Sequence, residues 1–180
     1  MSVTKIAQID VASTVATMTF SSIPATFTDL MLVCMLRNDS PSGTPFGAAN
    51  LVINGDTGSN YAQRYLSGNG ATTSSTSNST LTAVYPVRVT DTAATASTFA
   101  SSTIYIPNYA GSTAKSVSMD TVSENNAATA AQEIVAGSWT GTAVINSLSL
   151  QNISTYLFQV GSSATLYGVT KGTSSGVTVA

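Results

Sequence analysis

Leu30-Met31-Leu32-Val33-Cys34-Met35-Leu36 decides the reading of this chain. A strand places alternate side chains on opposite faces, so a half-buried strand alternates apolar with polar residues. Here both parities are apolar, which suits a central strand whose second face is covered by another sheet or by a neighbouring subunit. The run is far shorter than the ~20 residues needed to cross a bilayer. Cys34, the single cysteine, lies inside it and has no disulfide partner in the chain. A buried, inert thiol is expected there, and nothing indicates an oxidising compartment.

On either side of this run, short segments rich in Val, Ile, Thr, Tyr and Phe recur between clusters of Gly, Ser, Asn and Pro. Strands are expected near 3–9, 15–20, 28–37, 49–54, 61–66, 81–89, 101–106, 115–122, 132–138, 143–150 and 164–169. Alternation is plain in Ala16-Met18-Phe20 and Val117-Met119, with Thr17, Thr19 and Ser118 on the opposite face. The only helix candidate is Asn125 to Ala136, where the Ala content gives good helix propensity but the amphipathic pattern is weak. Ile134, Val135 and Trp139 follow with strand-like chemistry. The stretch near 71–80 is almost wholly Ser, Thr and Asn and reads as a mobile loop or extended arm. Residues 171–180 read as a flexible tail whose Val177 and Val179 could add a strand to an adjacent subunit. No internal repeat argues for a solenoid or propeller. The expected fold is all-β, one antiparallel β-sandwich over 1–180, of jelly-roll type.

Charge is scarce. Six Lys and Arg and eight Asp and Glu make up 8% of 180 residues, against about 25% in an ordinary domain. The surface is therefore built from Ser, Thr, Asn, Gly and Ala, which repel a neighbour weakly and cost little to desolvate. Such a surface favours an assembled subunit. Lys5, Arg37, Arg64, Arg88, Lys115 and Lys171 stand far apart in sequence, so no basic stripe forms for nucleic acid. The amino terminus has no apolar core of signal-peptide length and reads as mature sequence, with no membrane partner expected.

The residues of catalysis are sparse. With no histidine and one cysteine, neither a Ser-His-Asp or Cys-His arrangement nor the usual zinc sites can be assembled. Of Asp10, Asp29, Asp39, Asp56, Asp91, Asp120, Glu124 and Glu133, only Asp120 with Glu124 suggests a glycosidase pair, and solvated loop carboxylates are the commoner reading. Asn54-Gly55-Asp56-Thr57-Gly58-Ser59-Asn60 concentrates oxygen ligands, but it lacks the spacing and the later bidentate Glu of a calcium loop. A tight turn with Asn-Gly and Gly58 at positive φ is the simpler account. The sequons at Asn38, Asn78 and Asn152 arise easily in so polar a chain and are expected to carry no glycan. Tyr61 and Tyr65 beside the Asn54–Asn60 loop form a ligand patch or pin the loop; the other tyrosines and Trp139 are spread as core and sheet edge require. No catalytic, cofactor or metal residue is assigned, and no enzymatic activity is expected.

Phe20-Ser21-Ser22-Ile23-Pro24, Thr28-Asp29-Leu30-Met31-Leu32-Val33, Asn54 to Tyr61, Tyr105-Ile106-Pro107-Asn108-Tyr109 and Ala164-Thr165-Leu166-Tyr167-Gly168-Val169 follow one another in an order that resembles small virion proteins of tailed bacteriophages, particularly aquatic ones. The resemblance spans most of the chain. It implies a β-sandwich or jelly-roll piece of the particle: capsid decoration (cement) protein, head fibre or tail-fibre module. The expectation is a cement protein on the outer capsid surface, bound to the major capsid protein and to copies of itself. Threefold positions of an icosahedral shell favour a homotrimer. The alternative is a tail-fibre or receptor-binding module that recognises host surface glycans.

Overall fold

The computed structural model describes residues 1–41, 46–124 and 130–172. Among them are twelve strands and no helix. They are β1 (Ser2–Asp10), β2 (Thr17–Phe20), β3 (Asp29–Leu36), β4 (Phe46–Ile53), β5 (Tyr61–Gly68), β6 (Thr73–Leu81), β7 (Val84–Thr90), β8 (Ala100–Pro107), β9 (Lys115–Glu124), β10 (Ala130–Trp139), β11 (Leu148–Asn152) and β12 (Ser163–Thr170). An eight-stranded sheet runs β1-β12-β3-β8-β9-β10-β5-β6 and packs on a four-stranded sheet, β2-β11-β4-β7. Every pairing between these strands is antiparallel.

Setting aside the hairpins β5-β6 and β9-β10, the remaining eight strands pair as β1 with β12, β2 with β11, β3 with β8 and β4 with β7. That is one long hairpin rolled up, with β12·β3 and β11·β4 closing each sheet, and it is the jelly-roll arrangement. The two extra hairpins pair with each other through β10·β5 and with the roll through β8·β9, so both extend one sheet only.

The core lies between the sheets. Leu30, Leu32, Cys34 and Leu36 of β3 meet Leu51 and Ile53 of β4, Val87 and Val89 of β7 and Leu148 and Leu150 of β11. β3 is central, between β12 and β8, as its sequence requires. Its second face is not covered by the other sheet: Met31 is half-buried, Val33 is 38% and Met35 43% exposed, and no element among the described residues lies over them, which leaves a neighbouring subunit as the expected cover.

Two expectations are corrected. The polar stretch 71–80, expected as a mobile loop or extended arm, contains β6, an edge strand held by its ladder to β5 from Gly68↔Thr73 to Gln63↔Asn78. An edge strand has little to bury, so backbone hydrogen bonds suffice without an apolar pattern. The helix candidate 125–136 is strand β10 from Ala130 onward, and its first five residues, 125–129, lie outside the described residues. Alternation in β10 was hidden because Glu133 points into the core and Ile134 out. The expected tail overlaps the described chain only at Lys171 and Gly172.

Candidate functional site

The extended sheet has one face on the core and one facing outward. Burial alternates strictly along β9 and nearly so along β10 and β8. The registers place outward residues side by side across successive strands. One row reads Val33, Thr103, Asp120, Ile134, Leu66 and Ser75 from β3 to β6. The row above it holds Met35, Ser101, Val122 and Gln132, and the row below Tyr167, Met31, Tyr105, Ser118, Ala136 and Arg64. Exposed apolar side chains recur through the upper two rows: Leu66 is 60% and Ile134 57% exposed, and Val33, Met35 and Val122 are also open. Most other positions carry hydroxyl or small side chains.

The lower row forms one wall of an open groove of about 800 Å³ over β8, β9, β10 and β5, with Tyr105, Arg64, Ser118 and Ala136 among its residues. The Tyr105 ring is fixed from behind. Its hydroxyl donates to Asp29 Oδ2 at 2.7 Å, and the Asn108 amide donates to Asp29 Oδ1 at 2.8 Å. Burial raises the Asp29 pKa, but these two hydrogen bonds, with the Lys171 charge and the Thr28 hydroxyl, together outweigh it and hold the carboxylate below its ordinary value.

Directly beneath the outward face, between the sheets, is a polar cluster that sequence reasoning missed. Arg88 of β7 pairs with Glu133 of β10, which is 1% exposed. Nε donates to Oε2 at 2.5 Å and Nη2 to Oε1. Ser67 adds a hydrogen bond to Glu133 at 3.1 Å, and the guanidinium lies 5.0 Å from the Phe46 ring centroid. The Arg88 amide donates to the Thr121 hydroxyl at 2.7 Å, and that hydroxyl shares a hydrogen bond with the Ser102 hydroxyl at 2.5 Å. The signal was one lone charge in each of two apolar strands. Lys115, 2% exposed, is buried in another way: its ammonium donates to the carbonyls of Gly111 and Thr113 and, at 3.5 Å, of Thr142, and burial lowers its pKa.

The residues singled out from sequence separate into structural roles. In the Asn54–Asn60 loop, Asn54 and Gly55 both take positive φ, and the Asp56 amide closes the turn on the Ile53 carbonyl at 2.9 Å. That is a type I′ turn. Gly58 does not share this φ; a Cβ there would stand 2.9 Å from Asn60 Nδ2 and press on that side chain. The Asp56 carboxylate receives hydrogen bonds from Trp139 Nε1 at 2.7 Å, the Gly58 amide at 2.8 Å and Asn60 Nδ2 at 2.9 Å. Trp139, then Asn60 and Gly58, hold its pKa below the ordinary range. Three donors thus occupy the oxygens that a calcium ion would need, and among the described residues no cluster of three metal-binding side chains forms. Tyr61 pins the loop: its hydroxyl accepts from the Ile53 amide at 3.0 Å and donates to the Asp56 carbonyl at 2.9 Å, and burial pushes its pKa up to about 12. Tyr65 packs partly against the core.

Asp120 and Glu124 both point outward from β9, four residues apart on one strand, which separates them by roughly 13 Å. Glycosidase pairs stand at about 5–9.5 Å. Cys34 is buried, and burial pushes its thiol up to about 12.

The remaining motifs form clasps around the start of β3. Tyr109 donates to the Pro24 carbonyl and accepts from the Phe27 amide at 3.3 Å. Phe27 in turn lies over Gly168, where a Cβ would stand 2.3 Å from the ring. Comparison with family models, with curated proteins and with solved structures finds no match, so no known family is linked to this chain.

Proposed function

We propose that this chain is a non-enzymatic structural subunit of a phage particle, a decoration (cement) protein that binds the outer capsid shell and stabilises it. The observation that carries the reading is the outward face of the eight-stranded sheet, where Leu66, Ile134 and Val33 stand exposed among hydroxyl and small side chains. A face of this kind loses little hydration energy when another protein covers it, and it supplies apolar area to the contact. The ordered motif resemblance to virion proteins adds the particle; shell symmetry favours copies grouped in threes. Many modest contacts between neighbouring capsomers then hold each subunit by avidity.

Particles that lack the protein should assemble but rupture at lower temperature or force, and purified protein should rebind them. Leu66→Glu and Ile134→Glu, both on exposed positions, should abolish rebinding while leaving the melting temperature of the free protein unchanged. Location on tail fibres alone, or binding to host cells with bare capsids ignored, overturns the reading. The groove walled by Tyr105, held by Asp29, and by Arg64 favours a second reading, an adhesion module for surface glycans, because a fixed aromatic ring beside hydroxyls suits a sugar face. Glycan-array binding lost in Tyr105→Ala would support it.

A further inference from the structure

The four edge strands of the two sheets are not treated alike. An open edge presents unpaired N–H and C=O groups, and proteins guard it with shortness, charge, proline, bulges or a cover. β1 carries Lys5 and Asp10 and a register break between Lys5 and Ala7. β2 is four residues long. β7 contains Pro86, which has no N–H, and its neighbouring amides are covered from the other sheet: Tyr85 donates to Gln63 Oε1 at 2.9 Å and Arg88 to Thr121 Oγ1 at 2.7 Å. β6 has a register break only at its far end, between Asn78 and Leu81, and its stretch from Thr73 to Ser77 has none of these guards. The strand is nine residues long with no charge and no proline, and its ladder to β5 is regular from Thr73 to Asn78. Its Asn78 end is occupied, the carbonyl by Arg64 Nη1 at 3.3 Å and the side chain by the Tyr85 hydroxyl at 3.0 Å. Over Thr73–Ser77 no side chain among the described residues bonds the outward backbone.

From this difference we infer that Thr73–Ser77 is an interface for a second copy of this chain, paired antiparallel edge to edge about a two-fold axis at Ser75. The sequence of the open stretch selects that occupant. Thr73-Ser74-Ser75-Thr76-Ser77 presents only small hydroxyls, so it offers no pockets to choose the side chains of an unrelated strand. Against itself it sets Ser75 opposite Ser75, Ser74 opposite Thr76 and Thr73 opposite Ser77, pairs that hydrogen-bond across strands and bring no like charges together. The arrangement is isologous and closes on itself, so it gives a dimer and not a filament. Joining two eight-stranded sheets this way makes their outward faces continuous. In a shell that groups copies in threes, the same contact links one group to the next. The inference goes beyond the decoration reading and stands without it.

Five paired residues make a small contact, below the ~1,200 Å² of standard stable interfaces. The free protein should therefore dimerise weakly, with association rising over the range of about 10 µM to 1 mM. Sedimentation equilibrium of the full chain should show this. Ser75→Lys, which sets two ammonium groups face to face at the axis, should weaken the dimer at least tenfold, while Ser75→Thr should leave it intact. Amide exchange within Thr73–Ser77 should slow at high concentration in the unaltered chain only. A protein that stays monomeric throughout, or a dimer unaffected by Ser75→Lys, overturns the inference. So does a dimer lost on removing residues 173–180, which would make the tail the added strand. Monomeric protein that still rebinds particles would refute the edge pairing alone; a β6 dimer that ignores particles would refute the decoration reading alone.

Discussion

Removing either partner of the Arg88–Glu133 pair should destabilise the roll, and by unequal amounts. Breaking a buried pair costs about 3–5 kcal/mol because the survivor is left as an uncompensated charge, whereas replacing both partners by apolar residues of similar volume is near neutral. Glu133→Leu leaves Arg88, whose side chain is 16% exposed and keeps the Gly47 carbonyl and the Phe46 ring. Partial hydration places this variant near the lower end, about 3 kcal/mol. Arg88→Met leaves Glu133, 1% exposed, with the Ser67 hydroxyl as its remaining side-chain donor. That carboxylate must take up a proton or stay charged in the core, which places the cost near the upper end, about 5 kcal/mol. The double variant Arg88→Met with Glu133→Leu should fall within about 1.5 kcal/mol of the unaltered chain, so the coupling between the two positions is large and opposite in sign to the single effects. Urea unfolding at neutral pH measures all four corners of the cycle, with an unchanged m-value confirming that the same surface is exposed. Single effects below about 1 kcal/mol, or a double variant as unstable as the two summed, would show that the pair is hydrated and would refute the argument.

Leu32→Asp, which places a carboxylate on the inward face of central strand β3, should cost at least about 4 kcal/mol, while Thr76→Asp on edge strand β6 should stay within about 0.5 kcal/mol; equal denaturation midpoints would remove β3 from the core. Because the pKa of Asp56 is depressed, its clasp on Trp139 is complete above the unfolded carboxylate value of about 3.9 and is lost as pH falls through the lower folded value. Fluorescence of Trp139, the single tryptophan, should be flat from neutrality to about pH 4, change below it, and be indifferent to chelator or calcium; a transition centred well above pH 4 would be inconsistent with the clasp. Gly168→Ala forces the Phe27 ring aside and should lower stability by about 1–3 kcal/mol, a loss that a smaller residue at Phe27 partly relieves; an unchanged thermal midpoint would show that the ring moves freely.

The sequence made the sandwich legible wherever a strand has one apolar and one polar face, or two apolar ones, as in β2, β3 and β9. It failed where tertiary context overrode pattern. β6 carries no apolar periodicity because hydrogen bonds to β5 hold it, and such bonds leave no trace in side-chain identity. β10 inverts the usual polarity, burying Glu133 and exposing Ile134, and only the approach of Arg88 from 45 residues upstream makes that stable. The loop at Asp56 was legible as a turn through Asn54-Gly55, but its anchor is Trp139, 83 residues away, so its donors could not be read locally. The outward face is likewise a product of register: Val33, Ile134 and Leu66 are unrelated in sequence and become one row only when β3, β10 and β5 enter the same sheet.

The composition of that face also sets how it responds to its medium. Of the sixteen residues named in its three rows, Asp120 and Arg64 alone carry charge. Ionic attraction fades as the screening length falls from about 8 Å at physiological ionic strength to about 3 Å in molar salt. Contacts made through hydroxyls and apolar side chains have nothing to be screened, and salts excluded from protein surfaces strengthen them. A contact made through this face would therefore hold from dilute water to brine, where one made of charge pairs would come loose.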